Sequence, residues 1–370
     1  MRAVKVFLCR ACKIRLLRRK TATWNSVSPP LQRHNTWKVR HVTAPHPKSQ
    51  VVPSHFPLPT SHSVQPKAHL LNPIIKYSEH LIHNNANIMV TIRCLVLSDT
   101  HDDAFPSSLP DDDVDVVLHC GDLTMIGGLS NYKKAITNIN AIKAELKLVI
   151  AGNHDVSLDP KWWSENLDED EDDDDLDEPV KAQELFHEEE ANGLYLLSEG
   201  THTFTLADGR RFTIYASPYT PEFNGYAFAY APEEDRFSGE TAKNPIPEGV
   251  DIVMTHGPPL VQVQPGSQHD YRLDINRDGL HCGCPKLFDA IRRTQPQLHC
   301  FGHMHEGYGS QEIDWTSSSD SEAVSLGPCQ EKKPISCSKH GKTVLLNAAI
   351  MNHGEEENNE PWVIDVNVGI

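Results

Sequence analysis

The sequence predicts an α/β protein built from short strands joined by crossover helices, and three observations carry that prediction. From residue 89 onward, short apolar runs alternate with stripes of helical period. Several of those runs are followed at once by Asp, Asn and His, residues of metal-ligand type. No apolar stretch approaches the roughly 18 residues of a membrane-crossing helix.

Residues 1–88 come first and differ from the rest. They hold 14 Lys or Arg against one acid, Glu79, whereas residues 89–370 hold 20 basic and 50 acidic side chains. They are rich in Pro, Ser and His and show no sustained periodicity after Leu17, so they are expected to be disordered. The basic cluster from Arg10 to Lys20 suits a mitochondrial transit segment, while Met89, just before the first convincing strand, suits an initiator; composition leaves both open.

Residues 89–370 form the expected folded domain. Buried strands are predicted at 90–97, 114–118 and 146–151. Between the last two, Leu129, Tyr132, Ile136, Ile139, Ile142 and Leu146 recur at steps of three and four, one apolar helix stripe. Further strands are expected at 194–197, at 212–216 after an Asp208-Gly209 turn, and at 251–254, 298–301, 344–348 and 362–368, with a helix over 284–293. Two segments read as solvated insertions: an acidic one at 164–179, with 11 carboxylates between Glu165 and Glu178, and a Ser-rich one at 316–342.

Charge and cysteines narrow the classes. A net charge of −17 opposes nucleic acid as the main partner, which would call for a basic face. Nine cysteines, an odd number, with Cys94, Cys120 and Cys300 inside apolar runs, fit a reducing compartment. The expected location is cytoplasmic, or mitochondrial if residues 1–88 are a transit segment; no membrane association is expected, and protein partners are left open.

The segments after the predicted strands carry the chemistry: Ser98-Asp99-Thr100-His101, Gly121-Asp122, Gly152-Asn153-His154-Asp155, His256-Gly257 and Gly302-His303-Met304-His305. One such segment is ordinarily a turn or a cap, but five on strand ends that converge on one sheet edge point to a single site. Carboxylate, carboxamide and imidazole donors without thiolate suit Mn²⁺, Fe or Zn²⁺ with open positions rather than structural zinc. Asp155 reads as a supporting carboxylate, and His119 either reaches the site or packs at the strand end, packing being the preferred reading. Asp274 to Gly279 opens like a calcium-binding loop but has Pro285 where a bidentate Glu is needed. His281-Cys282-Gly283-Cys284 has poor zinc spacing, and Cys284 instead opens a helix.

These motifs resemble the calcineurin-like metallophosphoesterases. The longer strings Ser217-Pro218-Tyr219-Thr220-Pro221-Glu222-Phe223, Thr255-His256-Gly257-Pro258-Pro259 and Phe301 to Gly309 are similar to a subgroup of small metallophosphoesterase-domain proteins found in vertebrate brain, fungi and bacteria. The resemblance implies a four-layer αββα sandwich of two mixed sheets flanked by helices. It implies two divalent ions, Mn²⁺ foremost: one held by Asp99, His101, Asp122 and His305, the other by Asp122, Asn153, His256 and His303, with Asp122 bridging. His154 is then the uncoordinated histidine that protonates the leaving oxygen, a supporting role being the alternative.

The implied activity is a phosphodiesterase acting on a small phosphodiester, a cyclic nucleotide being one candidate, by attack of metal-bound hydroxide. Two divalent ions, two carboxylates and a bridging hydroxide leave one net positive charge, which suits a monoanionic diester. Protein phosphatases of the superfamily carry an Arg after Gly-Asp, and here Leu123 follows Asp122. The alternatives are a phosphomonoesterase or nuclease on the same residues, and a non-catalytic metal-binding module. Tyr219, Phe223, Tyr226 and Phe228 form either an apolar substrate wall or ordinary core.

Overall fold

The computed structural model describes residues 90–103, 105, 113–166, 176–239, 241–263, 269–316, 324, 326–327, 334–337, 341–352 and 358–370. The expectations for residues 1–88 and for Met89 as initiator lie outside them.

The chain runs β1 (Val90–Leu97), β2 (Val116–His119), α1 (Leu129–Asn140), β3 (Leu146–Val149), α2 (Pro160–Asn166), α3 (Glu178–His187), β4 (Leu194–Leu196), β5 (Gly200–Thr205) and β6 (Arg211–Ser217). It continues through the short pair β7 (Thr220–Pro221) and β8 (Ala229–Tyr230), then β9 (Ile252–Thr255), α4 (Pro285–Thr294), β10 (Leu298–Phe301) and β11 (Gly309–Asp314). Last come β12 (Ile335–Ser336), β13 (Lys342–Asn347) and β14 (Trp362–Val368).

These strands build two six-stranded mixed sheets, ordered β12-β14-β1-β2-β3-β4 and β11-β13-β10-β9-β6-β5. β1 to β4 are mutually parallel, as are β6, β9, β10 and β13; β14 runs antiparallel to β1, and β5 and β11 run antiparallel to β6 and β13.

The period of two along each strand sorts side chains into layers. Ile92, Cys94 and Val96 of β1 join Ile214 of β6, Met254 of β9 and Cys300 of β10 in the core between the sheets. Leu95 and Leu97, on the other face of β1, pack with Val117, Ile142 and Ile350. Helices α1 and α3 cover the outer face of the first sheet through Tyr132, Ile136, Ile139, Ala182 and Phe186. Helix α4 covers the second through Leu287, Phe288 and Ile291. The result is the four-layer αββα arrangement, with every buried strand sandwiched on both faces.

Three expectations are corrected. The helical stripe was extended through Leu146, but α1 stops at Asn140. Ile142 continues the apolar period because the turn after the helix is itself buried, while Leu146 opens β3. The 164–179 segment is less uniformly an insertion than its carboxylates suggest, since α2 and α3 occupy its two ends and Glu178 accepts from the Ser157 hydroxyl at 2.6 Å. Within 316–342, Val324, Leu326, Ile335 and Cys337 are buried and Ile335–Ser336 pairs with β14, so the segment is not wholly solvated.

Candidate metal centre

Parallel strands of both sheets end at one edge, and each ending delivers its motif there. Strand β1 hands over to Asp99 and His101, β2 to Asp122, β3 to Asn153 and His154, β9 to His256, and β10 to His303 and His305. The two sheets are stitched together at this edge by Ile350 N–H, which donates to Ser98 C=O at 2.8 Å, while Gly302 N–H donates to His256 C=O at 3.0 Å and ties the ends of β10 and β9 within the second sheet.

Two clusters of donor atoms result, each within 4.8 Å: Asp99, His101 and His305, and Asp99, Asp122 and His256. His101 Nε2 lies 3.2 Å from His305 Nε2 and 3.6 Å from Asp122 Oδ2. His256 Nε2 lies 3.4 Å from Asp122 Oδ1 and 2.9 Å from Asn153 Oδ1. Asp122 therefore turns one oxygen toward each group of imidazoles. His303 falls outside both clusters; its ring is 5.1 Å from that of His256, and its backbone N–H donates to Asp99 at 2.9 Å.

The backbone is bent to achieve this convergence. Asp99, His101, Asp102, Asp122 and His303 all have left-handed φ, between 43° and 68°. Such conformations cost non-glycine residues on the order of 1–3 kcal/mol each and persist where the surroundings hold them.

Glycines supply the space. A Cβ on Gly302 would sit 2.1 Å from Asp99 Oδ2, one on Gly152 would sit 2.2 Å from Asp122 Oδ1, and one on Gly121 would sit 2.7 Å from His256 Nδ1. The glycine in each of these motifs thus clears the place of a donor side chain from another strand. Oxygen and imidazole donors, buried and free of thiolate, in a cradle kept clear of Cβ atoms, fit divalent ions.

Charge distribution agrees with that fit. Burial opposes ionisation of Asp99, but the hydrogen bond and charge of His305 outweigh it and hold the carboxyl well below the usual range. Asp122 is likewise held low, burial being overcome by His256, His154 and His101. Burial pushes His101 and His303 down to about 4, so both are neutral with a lone pair to offer. His256 is pushed up to about 9: burial is outweighed by the Asp122 charge and hydrogen bond.

His154 stands at the outer side of the centre. Its Nδ1 donates to Met125 C=O at 2.7 Å, leaving Nε2 as the ring atom for proton exchange. Its ring sits 4.8 Å from that of His101 and 4.6 Å from that of Tyr226. Asp155 is fully buried and accepts from the backbone N–H groups of Leu123, Thr124 and Gly152, tying two of the motif loops together. Burial and the neighbouring Asp122 charge push its carboxyl up to about 7. It supports, as its motif position suggested.

The aromatic residues divide. Tyr219 and Phe228 pack inside, 5.7 Å apart, with the Arg236 guanidinium 3.5 Å above the Tyr219 ring. Phe223 is exposed, and Tyr226 borders His154. Arg236 itself is buried and makes a two-pronged ion pair with Glu199 at 2.6 and 2.8 Å. Sequence reasoning missed this pair, whose members stand 37 residues apart in no motif. Cys284 caps α4, its sulfur accepting from Leu287 N–H at 3.4 Å, and Asp274 is engaged by His281 at 2.6 Å.

Comparison with known proteins follows the same lines. The chain is 35% identical over 223 residues to the human protein named metallophosphoesterase domain-containing protein 1, and equally so to its mouse counterpart. That alignment covers 59% of this chain and 61% of the human protein, less than two thirds of it. A probable rhamnogalacturonate lyase C of Emericella nidulans is 30% identical over 60% of this chain and 18% of its own. Among solved structures, purple acid phosphatase PPD1 from yellow lupin aligns at 14% identity with a TM-score of 0.34, over 74% of this chain and 54% of that one. The profile of the calcineurin-like phosphoesterases matches residues 92–307, from β1 through the last motif histidine. More than half of the chain being matched, it belongs to the calcineurin-like phosphoesterase family.

Proposed function

We propose that this chain hydrolyses a small phosphodiester with the aid of two divalent metal ions, Mn²⁺ being the first candidate. In this reading Asp99, His101, Asp122, Asn153, His256, His303 and His305 hold the ions, and His154 is the general acid. The observation that carries it is Asp122, with one carboxylate oxygen facing His101 and the other facing His256, between two donor clusters that share Asp99.

When bound there, divalent ions supply Lewis-acid polarisation of the phosphoryl oxygens. The chain's residues do the rest. Asp99 and Asp122, ionised, hold the positive charge in place, and neutral His101 and His303 add donors without adding charge. His154, with Nδ1–H fixed on Met125 C=O, keeps Nε2 to pass a proton to the leaving oxygen, a role worth typically about 10²- to 10⁴-fold. The motif segments 98–103, 121–127, 152–155, 255–257 and 302–305 contain no Lys or Arg. A dianionic monoester would profit from such a cation, so its absence from these segments favours a monoanionic diester.

Hydrolysis of bis-p-nitrophenyl phosphate and of p-nitrophenyl phosphate by the full chain, with Mn²⁺ and with chelator, tests this beside an Asp122→Asn control. Metal-dependent turnover of the diester, lost in the control, is expected. Turnover of the monoester alone would replace the proposal with a monoesterase, and no turnover by folded, metal-loaded protein would replace it with a binding module.

A further inference from the structure

Two buried imidazoles outside the proposed ligand set stand directly behind the centre. His119 ends β2 and His299 lies on β10, and both are fully buried. His119 Nε2 is 3.1 Å from Thr100 Oγ1, and His299 Nε2 is 2.9 Å from Thr255 Oγ1. Each threonine hydroxyl also reaches a carbonyl: Thr100 that of Leu123 at 3.4 Å, Thr255 that of Gly257 at 2.7 Å.

The proton count assigns a direction to these bonds, most firmly at Thr255, whose contact with its carbonyl is the shorter. A hydroxyl has one proton, and a carbonyl can only accept, so each threonine donates to its carbonyl and accepts from Nε2–H of its histidine. Nδ1 of both histidines is then an unprotonated acceptor, and both Nδ1 atoms are buried without a hydrogen-bond partner. Burial pushes the two rings down to about 4 and about 3, so each stays neutral with a single proton to donate. An aromatic hydrocarbon would fill either place and strand no acceptor, so packing alone does not account for histidine.

Placement does. Thr100 lies between Asp99 and His101, both with left-handed φ, and through Leu123 C=O it ties their loop to the loop of Asp122. Thr255 precedes His256, and its bond to Gly257 C=O closes the turn around that ring. The same device occurs once in each sheet, on the parallel pairs β1–β2 and β9–β10. We infer that His119 and His299 are positioning residues: each donates Nε2–H to the threonine preceding a metal-ligating histidine and so holds that ligand loop in binding geometry. The inference rests on the reading of the centre as a metal site.

The test uses the full chain and Mn²⁺ as probe, comparing His119→Phe, His119→Gln, Thr100→Val and the His119→Phe/Thr100→Val double variant. Two quantities are read: Mn²⁺ affinity by titration calorimetry, and amide hydrogen exchange of Asp99, His101 and Asp102 in metal-free protein. His119→Phe is expected to keep its melting temperature and to lose affinity about 10- to 100-fold, the range for partners that orient metal ligands. His119→Gln, whose amide nitrogen can donate from the same place, is expected to retain affinity within about threefold. The double variant should be no weaker than the worse single one, because both break one contact.

In the metal-free protein, exchange in the loop should accelerate in the Phe variant and not in the Gln variant. Wild-type affinity and exchange in His119→Phe, equal losses in the Phe and Gln variants, or additive losses in the double variant would each overturn the inference. If His119→Phe does not fold, Thr100→Val, which keeps the side-chain shape, carries the same expected loss. If the wild-type chain takes up no Mn²⁺, the metal-site reading fails, while the exchange rates still decide the role of the histidines.

Discussion

Replacing Gly302 by Ala inserts one methyl group into the centre, and its consequence can be worked from distances. Gly302 is not among the residues with left-handed φ, so alanine suits its backbone. The added carbon would sit 2.1 Å from Asp99 Oδ2 and 2.1 Å from Ser98 Oγ, whereas real Cβ contacts stay above 3.0 Å. The Asp99 carboxylate must therefore retreat by about 0.9 Å, several times the ~0.2 Å that metal–ligand distances tolerate. Overpacking of this kind costs about 1–3 kcal/mol. If that strain is relieved in the metal-free protein and restored on binding, affinity falls about 5- to 150-fold, at ~1.4 kcal/mol per factor of ten.

The assay is calorimetric titration of metal-free protein with Mn²⁺, beside Gly239→Ala, where the new methyl meets nothing within 4 Å. Wild-type affinity in a folded Gly302→Ala protein would refute the reasoning, as would an equal loss in Gly239→Ala.

Three further outcomes follow from the same geometry. His154→Gln should slow hydrolysis of diesters with alkyl leaving groups by about 10²- to 10⁴-fold and that of p-nitrophenyl esters far less, since only a basic leaving oxygen needs its proton; equal losses on both substrates would remove His154 from the acid role. His256, pushed up to about 9, must shed a proton to bind metal, so apparent Mn²⁺ affinity should rise about tenfold per pH unit up to that value. The metal-free protein should move the opposite way, because a raised histidine stabilises it fully below its unfolded value of ~6.5 and that stabilisation is lost as pH rises toward 9. Affinity that is flat between pH 6 and 9 would contradict this assignment. Arg236→Met removes the charge partner of the buried Glu199 carboxylate, which keeps only the neutral donors Ser217 and Asn244, and should cost about 3–5 kcal/mol by denaturant unfolding, part of it recovered by adding Glu199→Leu. No recovery in the double variant would contradict an uncompensated Glu199 charge as the source of the loss.

What could be read from the sequence was whatever is contiguous. Asp99, Asp122, Asn153, His256 and His303 sit in short motifs directly after apolar runs, so both the strands and their cargo were visible. β5 was missed because its residues, Gly200 to Thr205, are half-buried on one face and exposed on the other, and Phe204 is the one large apolar side chain among them, so no apolar run marks it. β11 holds a single large apolar residue, Ile313, and is defined by pairing with β13, which no local pattern records. The roles of His119 and His299 were hidden for another reason. A lone histidine in an apolar run reads as packing, and only the threonine across the next strand gives it a partner. The left-handed backbone at Asp99, His101 and Asp122 also escaped, since non-glycine residues do not advertise such φ values.

The central claim is that Asp122 joins two divalent ions, and metal stoichiometry tests it most directly. Equilibrium dialysis of the full chain against Mn²⁺, followed by elemental analysis, should return two ions per chain for the wild type and fewer for Asp122→Asn. One ion per wild-type chain, or two still held by a folded Asp122→Asn protein, would contradict the account.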